Sequence, residues 1–360
     1  MSRFVQLHYL TAYPPSNPNR DDQGRPKTAI YGGVPRLRLS SQSLKRAARL
    51  SDVMRERLEG HMGERTQRLG EEVREHLLLE HGADEARATE IARKIADIFG
   101  KVDGPAGKKD GQEPAHVRIR QLAFVSPEER AEAFSWAERM LAGEDPPTDL
   151  KDQVLRTADG AADIAMFGRM LADDPVFNRE AAVQVSHAIT THKAVVEDDW
   201  YTAVDDLKRP AEDAGAGFIG EAGFGSGVYY LSVCVDTGLL VRNLAGDQGL
   251  AGRAMEAATE AFATATPSGK RNSYGHHARA GYLRAEAGEV QPRSLAAAFL
   301  RPISGDDLMA ASVESLEAMA ARFDLAYGPQ ASASSVMHVD AGTGDLKTIQ
   351  AFVAAQVADG

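Results

Sequence analysis

The sequence has a single cysteine, Cys234, in 360 residues. That excludes an intramolecular disulfide and suits a reducing compartment. Cys234 lies in the apolar run VYYLSVCVD, which predicts a small core residue rather than a reactive thiol. No apolar run approaches the roughly 20 residues of a membrane-spanning helix. The opening residues MSRFVQLHYLTAYPP are too polar for a secretory signal, so a soluble, cytoplasmic protein with no membrane partner is expected. GxSxG, Walker A, HExxH and Cys–His patterns are all missing. His187 and His192, and the adjacent His276 and His277, lack ligand spacing and are expected to be structural. The acid pairs Asp21–Asp22, Asp198–Asp199 and Asp205–Asp206 could in principle hold a metal, but they have no convergent partner in sequence, so solvated carboxylates and no metal or cofactor are expected.

One absence is local. Between Arg25 and Ser51 there is no Asp or Glu, yet the stretch holds Arg25, Lys27, Arg36, Arg38, Lys45, Arg46 and Arg49, in a chain of formal net charge −11. The overall acidity argues against indiscriminate nucleic-acid binding and leaves room for one basic groove.

Periodicity supplies the frame. FVQLHYL (4–10) predicts a strand ended by Pro14 and Pro15, and RLRL (36–39) an extended segment. Ser40 or Ser41 is a cap for a helix from about Gln42 into the fifties. Residues 52–99 carry apolar positions at helical spacing. HVRIRQLAFV (116–125) predicts a strand, and Ser126, Pro127 and Glu129 then form a capping-box start. AAVQVSHAITTH (181–192) alternates like a strand, and residues 208–227 read as a Gly-rich loop before the strand GVYYLSVCVD. Because those glycines precede a strand, they are no dinucleotide fingerprint. The fold class is α+β, with 52–150 as a helical insertion. What remains follows a β-α-β-β-α-β order, that of ferredoxin-like and RNA-recognition sandwiches.

On the predicted helix, Lys45 and Arg49 lie one turn apart with Arg46 beside them, while Leu44, Ala47, Ala48 and Leu50 supply the buried side. Ser40, Ser41, Gln42 and Ser43 surround its N-terminus, where free N–H groups and hydroxyls suit an anion. Point charges, N–H donors and hydroxyls are what a phosphate backbone needs. A solvated basic face is the alternative. Phe218 and Ile219 in the Gly-rich segment are wedge candidates, able to part stacked bases, or else two chance apolar residues of a surface loop.

The stretches NRDDQGRPKTAIYGGVPRLRLSSQSLKRAAR (19–49), DIAMFGRM (163–170), SHAITTHK (186–193), DDWYTAVDDL (198–207) and SSVMHVD (334–340) span the chain. In them the sequence resembles the CasC-type backbone subunit of the type I-E CRISPR surveillance complex, Cascade. The resemblance implies a hand: a modified RNA-recognition palm (1–51 and 151–360), helical fingers (52–150) and a long thumb loop (about 198–227). It implies a non-catalytic scaffold whose copies, typically six, stack along one CRISPR RNA and present its bases to target DNA. The other expected partners are the large, small, 5′-handle-capping and guide-processing subunits. Carried over residue by residue, the resemblance places Arg20, Lys27, Ser40, Gln42, Lys45, Arg46 and Arg49 on the guide backbone. It places Arg169 and Met170 at the kinked base, Tyr201 and Thr202 at the thumb base, and Ile219, with Phe218, at the wedge. Lys108 and Lys109 are assigned to target or displaced DNA. Two other readings stay open: an RNA-cleaving backbone subunit using Asp21 or Asp22, and an unrelated α+β enzyme.

Overall fold

The structure, a computed structural model, describes residues 3–102, 117–203 and 218–358, with 218, 219 and 358 described by backbone alone. In chain order the elements begin with β1 (Phe4–Ser16), β2 (Thr28–Tyr31), β3 (Val34–Leu39), α1 (Ser41–Arg49), α2 (Asp52–Arg57), β4 (Glu64–Thr66), α3 (Leu69–Leu79) and α4 (Glu85–Phe99). Then come β5 (Ala123–Val125), α5 (Pro127–Leu141), α6 (Leu150–Val154), α7 (Ala162–Phe167), β6 (Val183–Val185), β7 (Ala188–Thr190) and β8 (Glu197–Ala203). The chain closes with β9 (Phe218–Asp236), α8 (Thr237–Asn243), α9 (Gln248–Thr264), α10 (Arg271–Tyr274), β10 (Ala280–Gly288), α11 (Leu308–Tyr327), β11 (Ala333–His338) and α12 (Leu346–Ala358).

The chain divides into two compact units. The first comprises 1–55, 184–235 and 255–360, and the second 56–183 and 236–254. The helical segment expected over 52–150 thus lies in a unit that runs on to Val183 and includes 236–254, residues that the resemblance assigns to the palm. The reason is visible in its core. Val154, Leu155, Leu171 and Phe177 join Leu69, Val73, Ile91, Ile95 and Trp136 in one apolar cluster, so the chain beyond 150 completes that core. Helix α5 starts as its residues dictate: Ser126 accepts from the Glu129 N–H, Glu129 reaches back to the Ser126 N–H, and Pro127 occupies the first turn.

In the first unit, strands run in the order β11-β10-β1-β9-β7-β3-β2, with β6 and β8 also pairing β9. The β1–β10, β10–β11, β3–β7, β7–β9 and β8–β9 pairs are antiparallel. Within this sheet the order β10-β1-β9-β7, with α1 preceding β7 and α9 joining β9 to β10, is the β-α-β-β-α-β connectivity that the sequence pattern predicts. One face packs Leu10, Tyr230 and Tyr282 against Phe299 of the helical turn Leu295–Phe299 and against Val313 and Leu316 of α11. Tyr9, on the alternate position of β1, donates to the Thr259 carbonyl of α9 at 3.3 Å.

Four local expectations are corrected. The Gly-rich segment is a ladder as far as Phe218 is described: β8 and β9 pair from Glu197↔Phe224 to Ala203↔Phe218. Gly223, Gly225 and Gly227 fall on every second position. A Cβ there would meet Pro26 Cδ at 3.1 Å, Leu37 Cδ1 at 2.6 Å and His192 Nε2 at 2.3 Å, respectively. The glycines thus make a side-chain-free stripe that neighbours fill, rather than a turn. Second, α1 stops at Arg49, because the Ser51 hydroxyl donates to the Ala48 carbonyl and accepts the Met54 N–H, ending one helix and starting the next. Third, the two predicted strands on either side of α5 and α7 shrink to Ala123–Val125 and to two short strands, β6 and β7, separated by Ser186–His187. Cys234 is half-buried on β9 rather than a full core residue.

Candidate nucleic-acid interface

Helix α1 forms on a polar sequence because both its ends and one face are anchored. Ser40 is the N-cap, accepting the Ser43 N–H at 3.3 Å, and Leu44 and Ala48 are buried. Its first turn has no acidic residue and its last turn holds Arg46 and Arg49. Gln42, Lys45 and Arg49 recur at helical spacing on a face away from Leu44 and Ala48. Gln42 and Arg46 are exposed, and Lys45 and Arg49 half-buried. Ser40 itself is only 7% exposed, so its role in the structure is capping.

The loop that carries Arg20 and Lys27 is fastened to that helix start. Asn19 Oδ1 accepts the Ser40 N–H at 2.8 Å, and the Asn19 carbonyl accepts the Lys27 N–H at 3.0 Å. Asp21 Oδ1 accepts the N–H groups of Gln23 and Arg25 at 3.0 and 2.9 Å, so this carboxylate organises the loop. Arg20 is exposed and Lys27 half-buried beside the helix. His187, read as structural, supplies a further tie: its Nδ1 accepts the Ser41 N–H at 3.1 Å. Burial, then the charges of Arg38 and Lys27, hold this imidazole below its ordinary value, which keeps Nδ1 an acceptor. Neither Asn19 nor His187 carries a sequence signal for this role, since each acts on a backbone N–H distant in sequence.

Not all of the basic stretch faces solvent. Arg36 is fully buried and donates to the carbonyls of Tyr31, Thr190 and Phe299 at 3.2, 2.9 and 2.7 Å. Arg25 pairs with Asp198 at 2.6 Å and lies 3.8 Å from Glu221, which ties the loop to the β8–β9 ladder. Asn17 Nδ2 donates to the Gly223 carbonyl at 2.9 Å and reinforces that tie.

The same ladder brings the predicted thumb residues together. Tyr201 opposes Gly220, Thr202 opposes Ile219, and Ala203 opposes Phe218. All seven β8 residues are exposed, Tyr201 at 45% and the neighbouring Trp200 at 70%. The side chains of Phe218 and Ile219 lie outside the described residues, as do Lys108 and Lys109.

Arg169 and Met170 belong to the second unit and part company. Met170 is 75% exposed. The Arg169 side chain is fully buried, a correction to its placement on the guide. Its guanidinium donates to both Glu129 oxygens at 2.7 and 2.5 Å, and to the carbonyls of Arg156 and Phe177 at 2.8 and 3.1 Å. Arg179 completes the buried cluster by pairing with Asp159 at 2.5 and 2.7 Å. Burial pushes the Asp159 carboxyl up, but the Arg179 guanidinium outweighs it and leaves the group below the usual carboxylate range. Glu129 was legible as a cap, but its second role as counter-ion was not.

Among the described residues, no helix is long and apolar enough to cross a membrane. A comparison with curated protein sequences finds no significant match. Among solved structures, the chain is similar to a chain of a "CRISPR RNA-guided surveillance complex, pre-nicking". The two share 30% identity, cover 98% of this chain and 100% of that one, and superpose with a TM-score of 0.85. A chain of a second "CRISPR RNA-guided surveillance complex" shares 26% identity over 99% and 98% of the two lengths, with a TM-score of 0.60. A family model described as CT1975-like protein matches residues 5–357, and the chain belongs to that family.

Proposed function

We propose that this chain is a non-catalytic backbone subunit of a type I-E CRISPR surveillance complex, which grips guide RNA by its phosphates and polymerises along it. The observation that carries the reading is α1: an acid-free cationic helix, capped by Ser40, anchored by Leu44 and Ala48, and joined through Asn19 to the loop of Arg20 and Lys27. Full-length similarity to chains of RNA-guided surveillance complexes supports it. In guide-dependent recognition, base pairing reads sequence and the protein holds backbone and shape. Arg20, Lys27, Gln42, Lys45, Arg46 and Arg49 supply sequence-independent contacts of that kind.

The β8–β9 arm is the thumb of this reading. Tyr201 and Thr202 stand at its base, and Phe218 or Ile219 parts the bases. Met170 packs against the displaced base, Lys108 and Lys109 approach DNA, and the chain works in the cytoplasm with further copies and the other complex subunits. Asp21, the suspect for RNA cleavage, has one oxygen engaged by two backbone N–H groups, which favours the non-catalytic form.

The test is filter binding of guide-length RNAs with unrelated spacer sequences across a salt series. Lys45→Ala combined with Arg49→Ala is expected to weaken all of them equally and to lower the salt slope by about 0.7 per lost contact. A loss that depends on spacer sequence, or no loss, rejects the phosphate grip. RNA cleavage by the assembled complex with Mg²⁺, abolished by Asp21→Ala, rejects the non-catalytic assignment.

A further inference from the structure

Helix α1 has a third face. Ser43, Arg46, Ala47 and Leu50 recur at three- and four-residue spacing, apart from the buried Leu44 and Ala48 and from Gln42, Lys45 and Arg49. This third face forms one wall of a groove of about 560 Å³. The opposite wall is the segment that follows α9, residues 264–279, contributing Thr266, Ser268, Arg271, His277 and Arg279. Arg46 and Arg279 are exposed cations, and the single carboxylate on the lining is Asp52.

The far wall is held rigid by its own bonds. Thr266 Oγ1 donates to the His276 carbonyl at 3.2 Å, and His276 Nε2 donates to the Pro267 carbonyl at 3.0 Å. Gly269 lets the segment approach the chain closely, because a Cβ there would lie 2.4 Å from the Pro18 carbonyl oxygen. The Arg271 guanidinium is fixed by the Thr266 carbonyl, while its buried Nε has no partner. A cation already ordered loses little entropy when an anion arrives. Three guanidiniums, hydroxyl donors and one acid around an open groove match a phosphodiester backbone better than a neutral or cationic ligand.

We propose that this groove is a second phosphodiester track, built by Arg271 and Arg279 and sharing Arg46 with the neighbouring Lys45–Arg49 face. The proposal rests on the chain binding guide RNA, and its strand is either the guide itself or the DNA strand paired to it.

Arg279→Glu is the principal variant, since Arg279 is exposed and its reversal leaves the fold's contacts alone; Arg271→Gln is the second. Two affinities are measured against salt: guide-length RNA on the free chain, and complementary single-stranded DNA on the assembled chain–RNA complex. Urea midpoints confirm that each variant folds. Roughly tenfold weaker RNA binding with a lower salt slope assigns the groove to guide phosphates. Unchanged RNA binding with a comparable loss on the DNA arm assigns it to the paired strand. Normal affinity and slope on both arms, for both variants, overturns the proposal. In that case, loss of RNA binding in the Lys45→Ala, Arg49→Ala variant shows the phosphate-grip reading standing without the groove. A wild-type chain that binds no RNA brings down both.

Discussion

Asn19 and Ser40, 21 residues apart, are joined by one hydrogen bond of 2.8 Å from the Ser40 backbone N–H to the Asn19 side-chain oxygen. Ser40 caps α1, so this bond sets the cationic loop against the cationic helix. Asn19→Ala leaves a buried N–H without its acceptor and is expected to cost about 1–3 kcal/mol in urea unfolding. Asn19→Asp retains an acceptor and should hold stability closer to wild type, yet the added negative charge should weaken RNA binding. If Asn19→Asp and Asn19→Ala move stability and binding in parallel, the bond does not separate the two roles.

Arg169 and Met170 are adjacent in sequence and opposite in expected behaviour. Arg169→Ala removes the nearest counter-ion of the buried Glu129 carboxylate, leaving it two backbone N–H groups and Arg179 at 3.8 Å, and is expected to destabilise the protein by about 3 kcal/mol. Met170 is 75% exposed, so Met170→Ala should stay within about 0.5 kcal/mol of wild type. Chemical denaturation of both variants decides. A mild Arg169→Ala with a large effect on RNA binding would return Arg169 to the interface.

These contrasts mark how far residues reveal their own roles. Ser126, Pro127 and Glu129 announce a helix start because capping is local, and Ser40 does so for α1. The short apolar-rich runs FVQLHYL and VYYLSVCVD announce two central strands for the same reason. The Arg169–Glu129 pair spans 40 residues, and nothing along the chain distinguishes a buried arginine from one aimed at RNA. The glycines of β9 mislead in a different way. Glycine is common in turns, and only the positions of Pro26, Leu37 and His192 in space show that missing side chains are what this strand requires.

Acidification should destabilise the fold before its carboxylates titrate. His8 and His276 are both buried. Burial is the leading cause that holds each below the ordinary 6.5; nearby arginines add to it, and Glu286 opposes it at His8. In the unfolded chain both histidines take up protons near their ordinary value, while the folded chain resists. The folded state therefore binds fewer protons below 6.5, and stability falls as pH drops from there toward the depressed folded values. Above that window their contribution is fully present. Urea midpoints should be level between pH 8 and 7 and decline between pH 6.5 and 5.5. His276→Gln should flatten part of the decline, and a midpoint independent of pH across this window contradicts the assignment of neutral buried imidazoles.

Trp200 offers a direct optical test of the β8–β9 arm. The sequence has 2 tryptophans, and Trp136 is packed in the core of the second unit at 3% exposure while Trp200 is 70% exposed on β8. An exposed indole on an otherwise polar strand gains little for folding and presents a flat stacking surface. Trp200→Ala should therefore leave urea unfolding within about 0.5 kcal/mol of wild type. If the arm closes over RNA, a base stacked on Trp200 quenches its emission, and the quench vanishes in Trp200→Ala because Trp136 stays shielded. The affinity loss expected for one lost stack is about 1–3 kcal/mol. Quenching that survives Trp200→Ala, or wild-type emission unmoved by saturating RNA, rules out a stacking contact at Trp200.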